Sequence, residues 1–234
     1  MDTQTMTPVT HPKPRQQTLL RDALEVILLV AVIFFAIKLS IEMRPVSGSS
    51  MVPNLQDQQS LFVNKLAYVF GDPQRGDVII FYYPRDTQEV FVKRIIGLPG
   101  DTVVIGPTTV AVNGVQLQET YISAADNCTV LGGQPCTQQT IKLGPNQFWV
   151  MGDNRPISED SRVWGILDRK YIIGKAAFVW WPLSAFHSID THSAVFAHVP
   201  AASVPSGAGT GLATLALIPL PAVALLRRRK LPLR

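Results

Sequence analysis

Apolar positions along this chain follow two different patterns. Near the start, ALEVILLVAVIFFAIKLSI (23–41) is almost unbroken in apolar residues, and AGTGLATLALIPLPAVALL (208–226) is its counterpart near the end. Between them the apolar runs shorten, alternate with period two, are rich in Val, Ile, Phe, Tyr and Trp, and are bounded by Gly, Pro, Asn and Asp. Strands are therefore predicted at LFVNK (61–65), DVIIFYYP (77–84), VFVKRIIGLP (90–99), DTVVI (101–105), TVAVNGVQL (109–117), TIKL (140–143), NQFWVMG (146–152) and YIIGKAAFVWW (171–181). Asn113-Gly114, between VAV and VQL, predicts a tight hairpin. No long helical period runs through 42–200, so the body is expected to be mainly β: an antiparallel, coiled sheet assembly.

A helix of about 20 apolar residues spans a bilayer, and the first window approaches that length, although its uncharged core is only 26–37. A cleavable secretory signal has the same short core and basic flank. Here, however, the bulky or charged Ile41, Glu42 and Met43 follow in place of an A-x-A-like cleavage site, so a membrane anchor is the preferred reading. The second window carries Pro219 and Pro221, which cost backbone hydrogen bonds, but stops abruptly at RRRK as a cytoplasmic flank does. A second transmembrane helix is expected there, with an interfacial or disordered tail as the alternative.

Composition sharpens this picture. Charged residues are only 16% and hydrophobic ones 47%, which excludes disorder and an ordinary cytosolic enzyme. The net charge of +4 comes from the ends: Arg227, Arg228, Arg229, Lys230 and Arg234 follow the second window, while 42–207 holds more acids than bases. Basicity beside apolar segments argues against nucleic acid and for the positive-inside rule. The expected organisation is a cytoplasmic tail (1–22), a transmembrane helix (23–41), an extracytoplasmic β-rich domain (42–197), a Pro/Gly/Ser linker (198–207), a second span (208–226) and a basic cytoplasmic tail (227–234). Cys128 and Cys136, the only cysteines, flank Gly-Gly and Pro; they either close a small disulfide or remain free thiols, and with no histidine nearby no metal site is expected.

A nucleophile outside the membrane needs an activating base. His11 lies in the N-terminal tail, and His187, His192 and His198 crowd the C-terminal stretch, where no folded element is predicted to hold an imidazole, so a Ser-His-Asp triad is disfavoured. Serine with lysine remains. Lys93 sits in a predicted strand with Phe91 and Ile95 on its face, and burial among apolar groups disfavours an ammonium and lowers its pKa from about 10.4. A solvated lysine reaching out of the strand is the alternative. Arg94 cannot serve as a base, because its guanidinium stays protonated.

Four segments then occur in order: VSGSSMVPNL (46–55), GDVIIFYYP (76–84), VFVKRIIGLPGD (90–101) and MGDNRPISEDSRVWG (151–165). With the preceding apolar window they resemble the four signature boxes of type I signal peptidases, membrane-anchored Ser/Lys proteases that remove leader peptides from exported proteins. The resemblance covers about 20–182. It implies Ser50 as nucleophile and Lys93 as general base. Ser158 is implied to orient the lysine amine, with Asp160 and Arg162 as a stiffening ion pair and Asp153, Asn154 and Arg155 as braces.

The Ser50 N–H is the natural first oxyanion donor. The hydroxyl that some relatives supply two positions earlier is replaced here by Gly48, leaving the second donor to the backbone or missing. Met51, Leu55, Phe91 and Val92 are expected to line shallow pockets for small residues at the first and third positions before the cleaved bond. The family implies no cofactor or metal; the partners it implies are secretory preproteins and the lipid bilayer, with the catalytic domain on the outer side of the cytoplasmic membrane. Asn54 (usually Thr), Gln58-Gln59 (usually Gly-Asp) and Pro156 (commonly Asp) depart from the pattern without removing a catalytic group. The rivals are a Ser/Lys self-cleaving regulator, which the anchor and acidic body disfavour, and a catalytically inactive membrane-tethered β-domain that binds peptides.

Overall fold

The computed structural model describes residues 15–131 and 137–202. The first apolar window, except its last residue Ile41, lies inside helix α1 (Arg15–Ser40), which contains neither Gly nor Pro and begins upstream of the predicted boundary. Its large apolar side chains are exposed among the described residues: Leu24, Leu28 and Phe35 are each at least 59% exposed. Among the described residues no helix is long and apolar enough to cross a membrane. The second predicted span (208–226) and both predicted cytoplasmic tails, except for the helical residues 15–22, lie outside the described residues.

The chain turns directly from α1 into β1 (Ile41–Pro45), which sequence patterning did not predict. The predicted strands follow: β2 (Ser60–Asn64), β3 (Val78–Tyr83), β4 (Asp86–Gly97), β5 (Thr102–Ile105), β6 (Val110–Val112), β7 (Val115–Gln116), β8 (Gln139–Lys142), β9 (Gln147–Met151) and, after the short β10 (Leu167–Asp168), β11 (Ile172–Trp181). The short helices α2 (Ser161–Trp164) and α3 (Ser193–Phe196) and the edge strand β12 (His187–Ser188) complete the body. Every described pairing is antiparallel. The large sheet runs β1-β2-β11-β3-β4-β9-β10 with β12 on β11, and the small one runs β7-β6-β5-β8. Asn113 and Gly114, both at positive φ, form the β6–β7 turn.

Strand β3 shows how the sheet is held. Its uninterrupted VIIF is buried on both faces, Val78 and Ile80 joining one cluster with Leu61, Val63 and Val179, and Ile79 and Phe81 joining another with Ile95, Phe148 and Val150. A third cluster packs the small sheet through Val103, Val112 and Leu143 against Ile96, Trp149 and Met151.

Phe196 and Val199 belong to that third cluster, which corrects two expectations. The domain does not end at 197, and the start of the supposed linker 198–207 is folded: the Pro200 carbonyl accepts from Arg75 Nη2 at 3.2 Å and from Asn113 Nδ2 at 3.0 Å. Gly76, at φ +88°, lies so close under this segment that a Cβ there would come within 2.0 Å of the Thr191 carbonyl oxygen.

Candidate active site

Strand β4 pairs with β3 along most of its length, but β9 joins its other edge only from Arg94 onward. Among the described residues Val90, Phe91, Val92 and Lys93 therefore present a free edge, and this edge forms one wall of a cleft of about 600 Å³. The opposite wall is the chain that leaves β1, from Pro45 to Ser50.

Lys93 points from β4 to the floor of this cleft. Its side chain is buried, with 4% of the residue exposed, and Nζ lies 2.8 Å from Ser50 Oγ and 3.0 Å from the Val92 carbonyl oxygen. The Phe91 ring, on the same face of the strand, is centred 5.2 Å from Nζ. Loss of hydration pulls the Lys93 pKa down to about 8, against the pull of the Asp160, Glu159 and Asp153 carboxylates, which favour the ammonium. An amine in this state takes a proton from a serine hydroxyl far more readily than a solvated lysine does.

Ser50 is placed by a tight turn. The Val52 N–H donates to the Ser49 carbonyl, and the Leu55 N–H donates back to Met51. That turn puts Met51 and Leu55 on its inner side, each only 1% exposed and packed with Val46, Leu61 and Val63. The expectation that Met51 and Leu55 line a substrate pocket is thus corrected: they pack beneath the Ser50 turn, while Phe91, Val92, Leu61, Ile80 and Val90 line the cleft. Gly48 adopts φ +87° and lines the cleft, but its N–H donates to Asp57 Oδ1 at 2.7 Å, which removes it as an oxyanion donor.

Three buried ion pairs surround the site. Arg162 clasps Asp160 through Nε (2.9 Å) and Nη2 (2.7 Å), and Asp160 Oδ2 also accepts from the Gly152 N–H at 2.9 Å. Arg94, fully buried, clasps Asp153 at 2.9 and 2.8 Å and donates to the Gly76 and Asp190 carbonyls. Arg155 pairs with Glu119 and donates to the Gly152 carbonyl at 3.1 Å. Removing one partner of such a pair leaves an uncompensated buried charge, at a cost of about 3–5 kcal/mol.

The loop these pairs fix is in direct contact with Ser50. The Asn154 N–H donates to the Ser50 carbonyl at 3.0 Å, and a Cβ on Gly152 would meet Ser158 Oγ at 2.1 Å and the Ser50 carbonyl oxygen at 2.5 Å. Ser158, fully buried, lies in this contact, but among the described residues its hydroxyl has no hydrogen-bond partner. The orientation of the Lys93 amine by Ser158 is therefore not present in this structure; the amine's partners are Ser50 and Val92.

Several contributors were missed in the sequence. Asn54, read only as a departure from the family pattern, donates to Asp153 Oδ2 at 2.8 Å and to the Tyr121 carbonyl at 2.9 Å. Arg94, considered only as a base, holds Asp153. Tyr121 meets both the Arg94 guanidinium, 4.7 Å from its ring centre, and the His192 imidazole, stacked at 5.0 Å. These partners are far apart in sequence, and no local pattern relates them. His192 is thus held by folded structure, contrary to expectation, but among the described residues no histidine hydrogen-bonds Ser50. Cys128 is disulfide-bonded, whereas Cys136 lies outside the described residues.

Known proteins are similar to this chain over most of its length. The family described as "Signal peptidase, peptidase S26" matches residues 19–181. Signal peptidase I of Leptolyngbya laminosa is 34% identical over 190 residues, covering 76% of this chain and 89% of that protein. Signal peptidase IB of Staphylococcus aureus is 33% identical over 182 residues, covering 71% and 93%. A solved signal peptidase I from Enterococcus faecalis V583, 33% identical in sequence, covers 45% of this chain and 97% of that chain with a TM-score of 0.38. With that family matched from within α1 to the end of β11, across the loop holding Ser50, the strand holding Lys93 and the loop that braces both, the chain belongs to the signal peptidase family, peptidase S26.

Proposed function

We propose that this protein is a serine endopeptidase that removes N-terminal signal peptides from exported preproteins, with Ser50 as nucleophile and Lys93 as general base. The observation that carries the assignment of roles is the 2.8 Å approach of a buried amine to a serine hydroxyl at the floor of a cleft walled by a free strand edge. An extended peptide adds to the Val90–Lys93 edge by backbone pairing and brings its scissile carbonyl to Ser50 Oγ. Lys93 Nζ accepts the Ser50 proton as Oγ attacks, then delivers it to the departing amine. Water, deprotonated by the same amine, hydrolyses the acyl-enzyme. Narrow apolar walls at Leu61, Ile80, Val90 and Val92 favour small residues at the first and third positions before the cleaved bond.

Anchoring by α1 fits this role. Its uncharged core, 26–37, measures about 18 Å at 1.5 Å per residue, short of a bilayer's roughly 30 Å. Spanning requires the neighbouring Glu25 and Lys38 to extend toward the interfaces. The uncovered apolar side chains of α1 and the basic residues flanking both apolar windows support this placement, with the β body on the extracytoplasmic side and 208–226 as a second span.

The test is processing of a purified preprotein in detergent micelles. Ser50→Ala and Lys93→Ala should each abolish cleavage, and cleavage retained by either variant eliminates the dyad. Protease accessibility of 42–207 in oriented vesicles tests the topology; protection in right-side-out vesicles refutes it.

A further inference from the structure

The dyad leaves open how the oxyanion donor is aimed. In a trans peptide the C=O and N–H of one unit point in opposite directions, so whatever holds the Ser49 carbonyl also sets the direction of the Ser50 N–H. The Ser49 carbonyl accepts two hydrogen bonds: from the Val52 N–H at 3.2 Å within the turn, and from Asn154 Nδ2 at 3.1 Å across the fold. Among the described residues no acceptor takes the Ser50 N–H, and Ser49 and Ser50 both line the cleft.

We infer that Asn154 is a positioning residue that, by holding the Ser49 carbonyl, aims the Ser50 N–H into the cleft as the oxyanion donor. Several features make its amide a rigid support. Its own N–H is bonded to the Ser50 carbonyl at 3.0 Å, and its carbonyl accepts from the Ile157 and Ser158 N–H groups at 3.3 and 3.0 Å. The preceding residue, Asp153, is clasped by buried Arg94. Only the NH₂ end of the Asn154 side chain can face a carbonyl oxygen, so the orientation of its amide is chemically determined. With Gly48 engaged by Asp57, the Ser50 N–H has no second donor from that position, and its direction matters more. Because the Val52 bond remains when Asn154 is changed, a partial loss is expected: about ten- to a hundredfold in kcat, less than the 10²–10³ for deleting an oxyanion donor outright.

This inference rests on the Ser50/Lys93 reading, and the experiment separates the two. Full-length wild type, Ser50→Ala, Asn154→Ala and Asn154→Asp are compared in detergent; the Asp variant keeps the shape but cannot donate. kcat and KM are measured on a preprotein, together with Tm and the affinities of a peptide boronate, which forms a tetrahedral adduct on Ser50, and of the cleaved product peptide. Both Asn154 variants should lose kcat as stated and boronate affinity in parallel. KM, product-peptide affinity and the pH at which activity rises should be little changed. Unchanged kcat, a loss expressed in KM, boronate affinity retained while kcat falls, or a loss that simply follows Tm in both variants overturns the inference. Ser50→Ala inert beside fully active Asn154 variants overturns this inference alone; an active Ser50→Ala variant overturns the dyad as well.

Discussion

Burying Lys93 costs stability in a way that pH can read. Its folded pKa is about 8, depressed from 10.5 chiefly by lost hydration. Between those values the unfolded chain binds the proton and the native protein does not, so stability rises with pH through this window. The stabilising contribution is complete above the unfolded pKa, falls as pH drops toward the folded pKa, and is absent below it. At 1.36 kcal/mol per pKa unit the whole swing is about 3 kcal/mol. Lys93→Met removes the titration while filling similar space. The stability advantage of the variant over wild type should therefore be about 3 kcal/mol greater at pH 6.5 than near pH 10.5, whatever the packing of methionine itself contributes. Other titrating groups largely cancel in the comparison. Urea melts of both proteins across that range supply the measurement, and a pH-independent difference would refute the claim that a desolvated amine lies under the cleft.

The same electrostatics predict other outcomes. Asp160→Asn leaves Arg162 buried without its carboxylate, so stability should fall by about 3–5 kcal/mol in chemical denaturation. Because Asp160 favours the charged form of Lys93, the residual activity of that variant should extend to lower pH, and a shift to higher pH would contradict the assigned sign. Gly152→Ala places a methyl against Ser158 and the Ser50 carbonyl, so preprotein cleavage should fall at least a hundredfold; near-wild-type rates would show that the loop is not rigid. Replacing His187, His192 and His198 together should keep the catalytic pH dependence, though loss of the His192–Tyr121 stack lowers Tm; an inactive but folded variant would reinstate a histidine base.

What the sequence made legible followed physical locality. Alternation and turn residues located the core strands because those signals act within a few residues, whereas Phe91 and Ile95 flanking Lys93 suggested a depressed amine but left a solvated lysine as the alternative until the fold buried it. Signals that depend on distant partners were missed. Asn54 looked like a departure until Asp153 and Tyr121 were brought beside it. Val199 read as linker because one isolated apolar residue among small and polar ones carries no period; its burial depends on the small sheet and on neighbouring Phe196. Met51 and Leu55 were placed at the substrate because they are close to Ser50 in sequence, whereas the turn after Ser50 directs both inward. Ser158 shows the limit of motif matching: its hydroxyl is beside Gly152 but, among the described residues, has no hydrogen-bond partner.

The central claim is an amine whose pKa is pulled down to about 8 and that lies within reach of the Ser50 hydroxyl. Its most direct test is the titration of the Lys93 side chain by NMR in lysine-labelled enzyme, with the resonance assigned by its absence from Lys93→Met. A midpoint near pH 8, matched by the acid limb of kcat/KM, is the predicted result, whereas a midpoint near 10.5 would contradict the account.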